Sequence, residues 1–243
     1  IAANLGGMLT PFGNPQNLYL YSYYSIPAGE FFKIMALPFA AAFALILAVC
    51  LFVRPQPASV QTGPKARPPL WRVAAYTALF VLSILIVFRV FPYYWGLLAV
   101  AAALLVLDFR ALLHVDYGLL LTFCAFFVFS GNLARIPAVE EWLGGLIALD
   151  PLAFGVLSCQ FISNVPSAVL LSKFTGDYAG LLVAVNIGGL GTPIASLASL
   201  ITLNTYRLVR PGETKRYLAR FLLLNFAFLA VLLGVGYLNA LFV

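Results

Sequence analysis

The chain has 243 residues, of which 63% are hydrophobic, 15% are aromatic and only 9% are charged. A soluble domain carries roughly 25% charged residues, so this composition excludes a soluble globular protein and predicts an all-α integral membrane protein. The net charge of +6 is explained by basic loops that face the cytoplasm, and nucleic acid is not expected as a partner.

The predicted membrane segments follow one another along most of the chain. Segment 34–53 holds no charged residue, and a helix needs about 20 such residues to cross the hydrocarbon of a bilayer. Segment 54–70 contains five prolines and is predicted to be an extended hydrophilic linker. We place the crossing segments at 1–22, 34–53, 71–91, 93–107, 117–131, 178–203 and 217–243.

The distribution of positive charge predicts the orientation. Ten of the fourteen Lys and Arg residues lie in or beside 54–72, 108–116 and 204–220, if segment 151–173 enters and leaves the membrane by the same face. Loops 54–72, 108–116 and 204–216 are then predicted to be cytoplasmic, because basic loops stay on that side. Segment 151–173 becomes a re-entrant hairpin from outside, and the C-terminus lies outside.

A polar interruption supports the hairpin. Residues 163–167, Ser-Asn-Val-Pro-Ser, divide the apolar segment at mid-depth. Pro166 disfavours helix at Val165 and removes a backbone donor, so 152–161 and 167–173 are predicted as two half-helices that meet at a polar tip. Irregular backbone at membrane depth is tolerated only where it is buried in protein or lines a cavity.

An internal repeat is the strongest signal in the sequence. The aligned residues, which match without a gap, are Asn4-Leu5-Gly6-Gly7 with Asn186-Ile187-Gly188-Gly189, Thr10-Pro11 with Thr192-Pro193, and Leu18 with Leu200. In the predicted topology the first copy runs from inside to outside and the second runs back. Two copies of opposite direction are the inverted repeat of many secondary transporters.

The repeat also predicts the organisation of the chain. Residues 1–53 form the end of a first repeat, 54–70 a cytoplasmic linker, and 71–243 the second repeat. The second repeat contains scaffold helices, the hairpin 151–173, an unwound helix 178–203 and a last helix 217–243. The first residue is not Met and the motif begins directly after it, so we expect an N-terminally truncated chain with further helices upstream.

Each copy of the repeat predicts a helix that breaks near the membrane centre. Gly-Gly followed by Thr-Pro cannot maintain a continuous helix, because glycine adds backbone freedom and proline removes a hydrogen bond. Free carbonyls at such a break can bind a cation, and helix N-termini can face an anion. The same residue types also allow close helix packing, which is the alternative interpretation. The side chains near the breaks are small, polar and uncharged: Thr10, Asn14, Asn17, Thr192, Ser196 and Ser199.

The hairpin tip and the two breaks resemble the divalent anion:sodium symporters and citrate-transporter-like permeases of the ion transporter superfamily. The departures are Val165, where the family has Thr, and a second break without the Gly-x-Pro-x-Asn of the first. The substrate-binding residues that the resemblance and the polar tip imply are Ser163, Asn164, Pro166, Ser167, Asn14, Asn17 and Thr192. The implied cation-binding residues are Thr10, Gly13, Asn14, Ser163, Asn164, Thr192 and Ser196.

The resemblance implies a secondary active transporter of small anions, either di- and tricarboxylates or inorganic oxyanions, in the inner (plasma) membrane. Na⁺ or H⁺ would be the coupling ion, without a cofactor or a metal other than transported Na⁺. The expected partners are a small anion, the lipid bilayer and, through scaffold segments, a second copy in a homodimer.

Several alternatives remain open at the level of the sequence. An arsenite-type export permease or a cation/proton antiporter belongs to the same superfamily, although no span holds a central carboxylate of the kind that proton antiporters use. A membrane scaffold that transports nothing is a third alternative. An enzyme is not expected, because the chain has no nucleophile elbow, zinc-protease or phosphate-loop motif.

Overall fold

The regular structure of the chain is helical. The computed structural model describes residues 1–53 and 68–242, and all its regular elements are α- or 3-10 helices. We number the α-helices in chain order: α1 Ala2–Gly6, α2 Pro15–Tyr23, α3 Ala28–Leu51, α4 Leu70–Val87, α5 Tyr93–Leu107, α6 Phe109–Leu113, α7 Tyr117–Leu133, α8 Pro137–Leu149, α9 Pro151–Ile162, α10 Asn164–Leu171, α11 Tyr178–Ile187, α12 Leu197–Val209 and α13 Thr214–Asn239.

Several of these helices have the length and composition of membrane spans. Among the described residues, three candidate spans are found, namely α3, α4 and the segment Pro211–Asn239 that contains α13. The pair α7 and α8 passes the same test together, but its two helices are bent by 101° at a short break. The helical content and the candidate spans agree with the predicted all-α membrane protein.

The chain divides into two compact units. One unit contains Ile1–Cys50 and Gly118–Val243, and the other contains Leu51–Tyr117. In the smaller unit, Asp108 begins α6 and accepts hydrogen bonds from the Ala111 amide and the Tyr76 hydroxyl. The predicted linker falls largely on 54–67, outside the described residues. The larger unit holds every element of the candidate site.

The predicted connection 204–216 is wrong for most of its length. Helix α12 continues to Val209 and α13 begins at Thr214, so only a short turn that contains the 3-10 helix Pro211–Glu213 joins them. No Gly or Pro interrupts 197–209, and Arg207 in the last turn of α12 is favourable beside the negative end of the helix dipole. The helix therefore extends until it reaches Pro211.

A side chain replaces the hydrogen-bond donor that a proline removes from α3. Pro38 lies inside this helix and has no N–H to donate to the carbonyl of Ile34. Asn239, at the end of α13, donates its side-chain amide to that carbonyl at 3.0 Å. Pro38 and Asn239 are both buried, so this bond connects the last helices of the two predicted repeats inside the protein.

The core of the larger unit surrounds α11. All residues from 181 to 187 are buried, and the helix packs against α9 at small side chains. A Cβ placed on Gly155 of α9 would lie 2.6 Å from the Cβ of Ala184, so glycine permits the close approach of the two helices. The hairpin thus packs directly against α11, which belongs to the second copy of the repeat.

The first broken helix ends beside the start of the second. Tyr24, which follows α2, donates its hydroxyl to the carbonyls of Ser172 and Thr175 at 3.1 and 2.7 Å. Tyr178, at the start of α11, donates to the Glu30 carboxylate near the start of α3. The C-terminal end of α2 therefore lies beside the N-terminal end of α11.

Candidate functional site

The first copy of the repeat breaks as the sequence predicts. A 3-10 turn, Gly7–Leu9, follows α1, and Thr10 is extended with φ −117° and ψ 146°. Asn17, fully buried in α2, caps this break with its side-chain amide. It donates at 3.2 Å to each of three carbonyls that the break releases: Gly7, Met8 and Thr10.

Two glycines allow the first break to fold tightly on itself. A Cβ on Gly13 would collide with the carbonyl of Gly7, and a Cβ on Gly7 would collide with the carbonyl of Gly13 and the side chain of Asn14. The backbone therefore meets backbone at this point, which explains why both positions hold glycine.

The second copy adopts nearly the same local structure. Thr192 is extended with φ −71° and ψ 154°, and a 3-10 turn, Pro193–Ala195, leads to α12. Ser196 begins α12 with φ −143° and ψ 148°, close to the φ −139° and ψ 147° of Asn14 at the start of α2. Asn14 and Ser196 occupy equivalent positions in the repeat, so the two breaks end in the same backbone geometry. The copies differ just before Thr-Pro, where Gly191 has φ 99° and the equivalent Leu9 lies in a 3-10 turn.

A glutamine of the hairpin caps the second break. The amide nitrogen of Gln160 donates to the carbonyls of Gly188 and Leu190, each at 3.0 Å, while its side-chain oxygen accepts from the backbone N–H of Thr192 at 2.9 Å. The Thr192 hydroxyl returns a bond to the backbone carbonyl of Gln160 at 3.0 Å. Gln160 thus does for the second break what Asn17 does for the first.

The hairpin reverses at a single residue, which corrects the predicted five-residue interruption. The hydroxyls of Ser158 and Ser167 lie 2.9 Å apart, whereas nine residues of continuous helix would separate them by about 13 Å. Only Ser163, with φ 74° and ψ 157°, is non-helical, and α10 begins at Asn164. Pro166 is tolerated because the first turn of a helix has no intrahelical use for its N–H.

A network of buried amides joins the two copies of the repeat to the hairpin tip. The side chain of Asn4 donates to the carbonyl of Asn186 at 3.1 Å, so the first asparagines of the two copies touch. Asn186 donates to Asn17 at 2.6 Å, and Asn164 approaches the side-chain oxygen of Asn4 at 3.4 Å. All four asparagines are buried, and their amides therefore hold the three segments in one arrangement.

Three helix N-termini meet around a cavity of about 390 Å³. The first residues of α2, α10 and α12 line it, together with Asn4 and an apolar wall that includes Phe123 and Phe126 of α7. No Asp, Glu, Lys or Arg is among its lining residues in the described part of the chain. Unpaired N–H groups of helix N-termini favour anions, so the cavity can accept negative charge without a basic side chain.

The predicted site residues fall into two groups. Those that line the cavity are Asn14, Ser163, Asn164, Pro166 and Ser196. Those that lie outside its lining are Thr10, Gly13, Asn17, Ser167 and Thr192. Three residues of the second group stabilise the elements that form the cavity. Asn17 and Thr192 bind backbone groups at the breaks, and Ser167 bonds across the hairpin.

The sequence-based prediction omitted four amides that the structure places in or behind the site. Asn4 and Asn186 were visible as the first residues of the aligned motifs, and both lie in the buried network. Gln16 approaches the Asn186 oxygen at 3.4 Å and lines the cavity. Gln160 could have been suspected as a polar residue within an otherwise apolar half-helix.

Comparison with known proteins agrees with the resemblance seen in the sequence. The family model for citrate transporters, CitMHS, matches residues 1–179. The chain is 34% identical over 247 residues to the inner membrane protein YbiR of Escherichia coli K12, which covers 98% of this chain and 63% of that protein. It is 35% identical over 203 residues to the uncharacterized transporter MJ0456 of Methanocaldococcus jannaschii, covering 84% and 55%.

No solved structure matches the chain. The chain spans a little over half the length of each of these relatives, at 63% and 55%. The matched family segment contains the first break and the complete hairpin, and the YbiR alignment also includes nearly all of the second break and α13. The chain therefore belongs to the citrate transporter family of membrane proteins, which are transporters and not enzymes.

Proposed function

We propose that the chain builds part of the substrate site of a secondary active transporter that moves a small anion together with Na⁺ by alternating access. The observation that carries this proposal is the convergence of the N-termini of α2, α10 and α12 on one uncharged cavity. Each N-terminus is equivalent to roughly half a positive charge, so a carboxylate or inorganic oxyanion can be held by N–H groups alone.

The coupling cation is assigned to oxygen atoms of the same region. Ser163, Asn164 and Ser196, which belong to the predicted cation-binding set, line the cavity and carry hydroxyl or amide oxygens. Na⁺ is a hard cation that takes oxygen ligands, and an anion in the same cavity would supply the compensating charge. Binding of anion and cation would then be mutually favourable, which is the basis of coupled transport.

An inverted repeat is proposed as the architecture that moves this site. Two observations support it: α2 ends where α11 begins, and the equivalent residues Asn4 and Asn186 bind one another. Equivalent residues meet in this way when they lie near a two-fold axis between antiparallel copies. We place the protein in the inner membrane, with 54–72 and 204–216 on the cytoplasmic side.

Uptake into proteoliposomes tests the proposed activity. The whole protein would be reconstituted, and uptake of labelled citrate, succinate, phosphate and arsenite measured with and without an inward Na⁺ gradient. Uptake of a carboxylate or phosphate that rises with the Na⁺ gradient is expected. Arsenite transport, or Na⁺ movement driven by a pH gradient alone, would indicate the export permease or the antiporter. A folded protein that moves none of these ions would be the non-transporting scaffold.

The Asn164→Ala variant tests the position of the site. Losing a hydrogen bond to a charged ligand should reduce uptake by about 10- to 100-fold while the protein still inserts into membranes. Asn132→Ala is the matched control, because Asn132 is an exposed asparagine near the end of α7 and does not line the cavity. Uptake by Asn164→Ala at the level of that control would refute the assignment of the hairpin tip to the site.

A further inference from the structure

A basic groove lies between the end of α12 and the start of α13. Its volume is about 960 Å³, and none of the described residues lines both this groove and the anion cavity. The groove is lined by Asn204, Arg207, Leu208, Pro211, Gly212, Thr214 and Lys215. The charged residues that line it within the described ranges are Arg207 and Lys215, and both are positive.

The turn that forms the groove is stabilised by interactions that engage its acidic residue, Glu213. Glu213 forms a salt bridge with Arg210 at 3.0 Å and accepts a hydrogen bond from Tyr206. The rings of Tyr206 and Tyr217 stack at 4.3 Å and fasten α12 to α13. Neither Arg207 nor Lys215 forms a salt bridge with an acidic side chain among the described residues.

The local excess of positive charge is large. Residues 207–220 contain five basic residues and one acidic residue, which gives a formal charge of +4. Lys215 and Arg216 also lie in the first turn of α13, where the positive end of the helix dipole disfavours them. A bound anion would therefore lower the electrostatic energy of the groove.

The surroundings of the groove are those of the membrane boundary. Leu208 lines it with 86% of its surface exposed, and Leu223 is 72% exposed on α13. The segment Pro211–Asn239 is a candidate membrane span, so the groove lies at the end of that span. A ligand that has both a phosphate and acyl chains matches this combination, whereas a free phosphate would leave the apolar wall unused.

We propose that this groove binds the headgroup of an anionic phospholipid of the cytoplasmic leaflet. Arg207 and Lys215 contact the headgroup phosphate, and the acyl chains follow Leu208 and the exposed face of α13. Basic residues near a membrane surface contribute about 1 kcal/mol each toward anionic lipid, which corresponds to about fivefold in binding. The site is independent of the proposed transport activity, and its assignment to the cytoplasmic leaflet rests on the proposed orientation.

Lipid titration of the purified whole protein in detergent tests the proposal, with native mass spectrometry to count bound lipids. Phosphatidylglycerol is the probe, and phosphatidylcholine is the zwitterionic comparison. Arg207→Gln and Lys215→Gln should each weaken phosphatidylglycerol binding by about fivefold, and the double variant by about 30-fold. Arg216→Gln is the matched control, since it removes the same charge from the same helical turn without lining the groove, and it should change binding by less than about twofold.

Three results would overturn the proposal. An equal loss in Arg216→Gln would mean diffuse electrostatic attraction without a defined site. Equal binding of phosphatidylcholine and phosphatidylglycerol would remove the role of headgroup charge. Displacement of the lipid by millimolar inorganic phosphate, with tight phosphate binding of its own, would make the groove a phosphate site. Circular dichroism and thermal unfolding would confirm that every variant is folded.

Discussion

A single side chain, that of Gln160, serves three backbone groups that the second break would otherwise leave without partners. These groups are the carbonyls of Gly188 and Leu190 and the N–H of Thr192. Buried backbone groups without hydrogen bonds are costly, by about 1–3 kcal/mol each. The last turn of α9 in the hairpin is thus joined to the second broken helix at its break.

Gln160→Leu should therefore destabilise the protein by several kcal/mol, because all three groups lose their partner while the volume is nearly kept. The expected result is a lower melting temperature in detergent. Hydrogen exchange should also accelerate at the Thr192 amide, whose only side-chain acceptor is removed. Both measurements can be made without knowledge of the transported substrate.

Thr202→Val provides the control for Gln160. Thr202 is exposed and bonds only to the carbonyl of Ala198 in its own helix, so its loss should change stability by less than about 0.5 kcal/mol. Unchanged exchange at Thr192 in the Gln160 variant would contradict the capping role.

Residues of the candidate site could be predicted where a local sequence motif marked them. Ser163 and Asn164 were recognised by their motif, and both line the cavity. The contact between Asn4 and Asn186 could not be predicted, because the alignment shows that the two residues are equivalent but not that they touch. Likewise, a sequence gives no sign that Asn17 turns back to serve carbonyls 7–10 residues upstream.

At the scale of the elements, both helix breaks were predictable because Gly-Gly and Thr-Pro act on their own backbone. The extent of the hairpin tip was not predictable, since the effect of Pro166 depends on where its helix begins. Disruption was predicted for a proline in the helix interior, whereas Pro166 occupies the first turn, where it costs nothing. A proline therefore interrupts a helix when it lies in the interior and is tolerated when it lies in the first turn.

The bond from Asn239 to the carbonyl of Ile34 predicts a coupling between α13 and α3. Asn239→Leu should cost about 1–3 kcal/mol, because it leaves that buried carbonyl without a donor. In a Pro38→Ala background the new N–H of residue 38 can bond to Ile34, and the cost of Asn239→Leu should fall below about 1 kcal/mol. Reversible unfolding in a denaturant series would measure this double-mutant cycle.

Asn225→Leu is the matched control for that cycle, since it makes the same change in the same helix. Asn225 is also buried, its amide bonds only to Phe221 in α13, and its side-chain oxygen has no partner among the described residues. The substitution should be neutral or stabilising, and independent of Pro38. Equal costs of Asn239→Leu in both backgrounds would show that the Ile34 carbonyl does not need Asn239.

At the scale of the whole molecule, spans could be predicted from length only where a helix is continuous. Helices α11 and α12 have 10 and 13 residues, so neither is long enough to cross a bilayer by itself. Their pairing into one broken span was predicted from the repeat, and the contact of Tyr24 with 172–175 is the arrangement expected under the proposal that the two copies run in opposite directions.

Cysteine accessibility in intact cells tests the proposed directions. Gly29, Gly176 and Gly212 are suitable positions, because a Cβ at each meets nothing within 4 Å. In a background in which Cys50, Cys124 and Cys159 are replaced by Ala, a membrane-impermeant thiol reagent added outside should label Gly29→Cys and Gly176→Cys. Gly212→Cys should react only after the membrane is opened.

Gly29→Cys and Gly176→Cys serve as controls for one another, since they follow the first copy and precede the second. Labelling of these two positions from opposite sides of the membrane would mean that both copies run in the same direction. The inverted repeat, and with it the proposed mechanism, would then have to be abandoned.

The part of the site that the described residues build is electrically neutral when it is empty, because none of the cavity-lining residues among them is ionisable. Under the proposed mechanism, its return across the bilayer without cargo moves no charge, and the membrane potential leaves that step unchanged. Voltage then acts on the loaded step alone, at about 2.3 kcal/mol for each net elementary charge per 100 mV. The sign of the transport current would report whether coupling cations outnumber the charges of the anion.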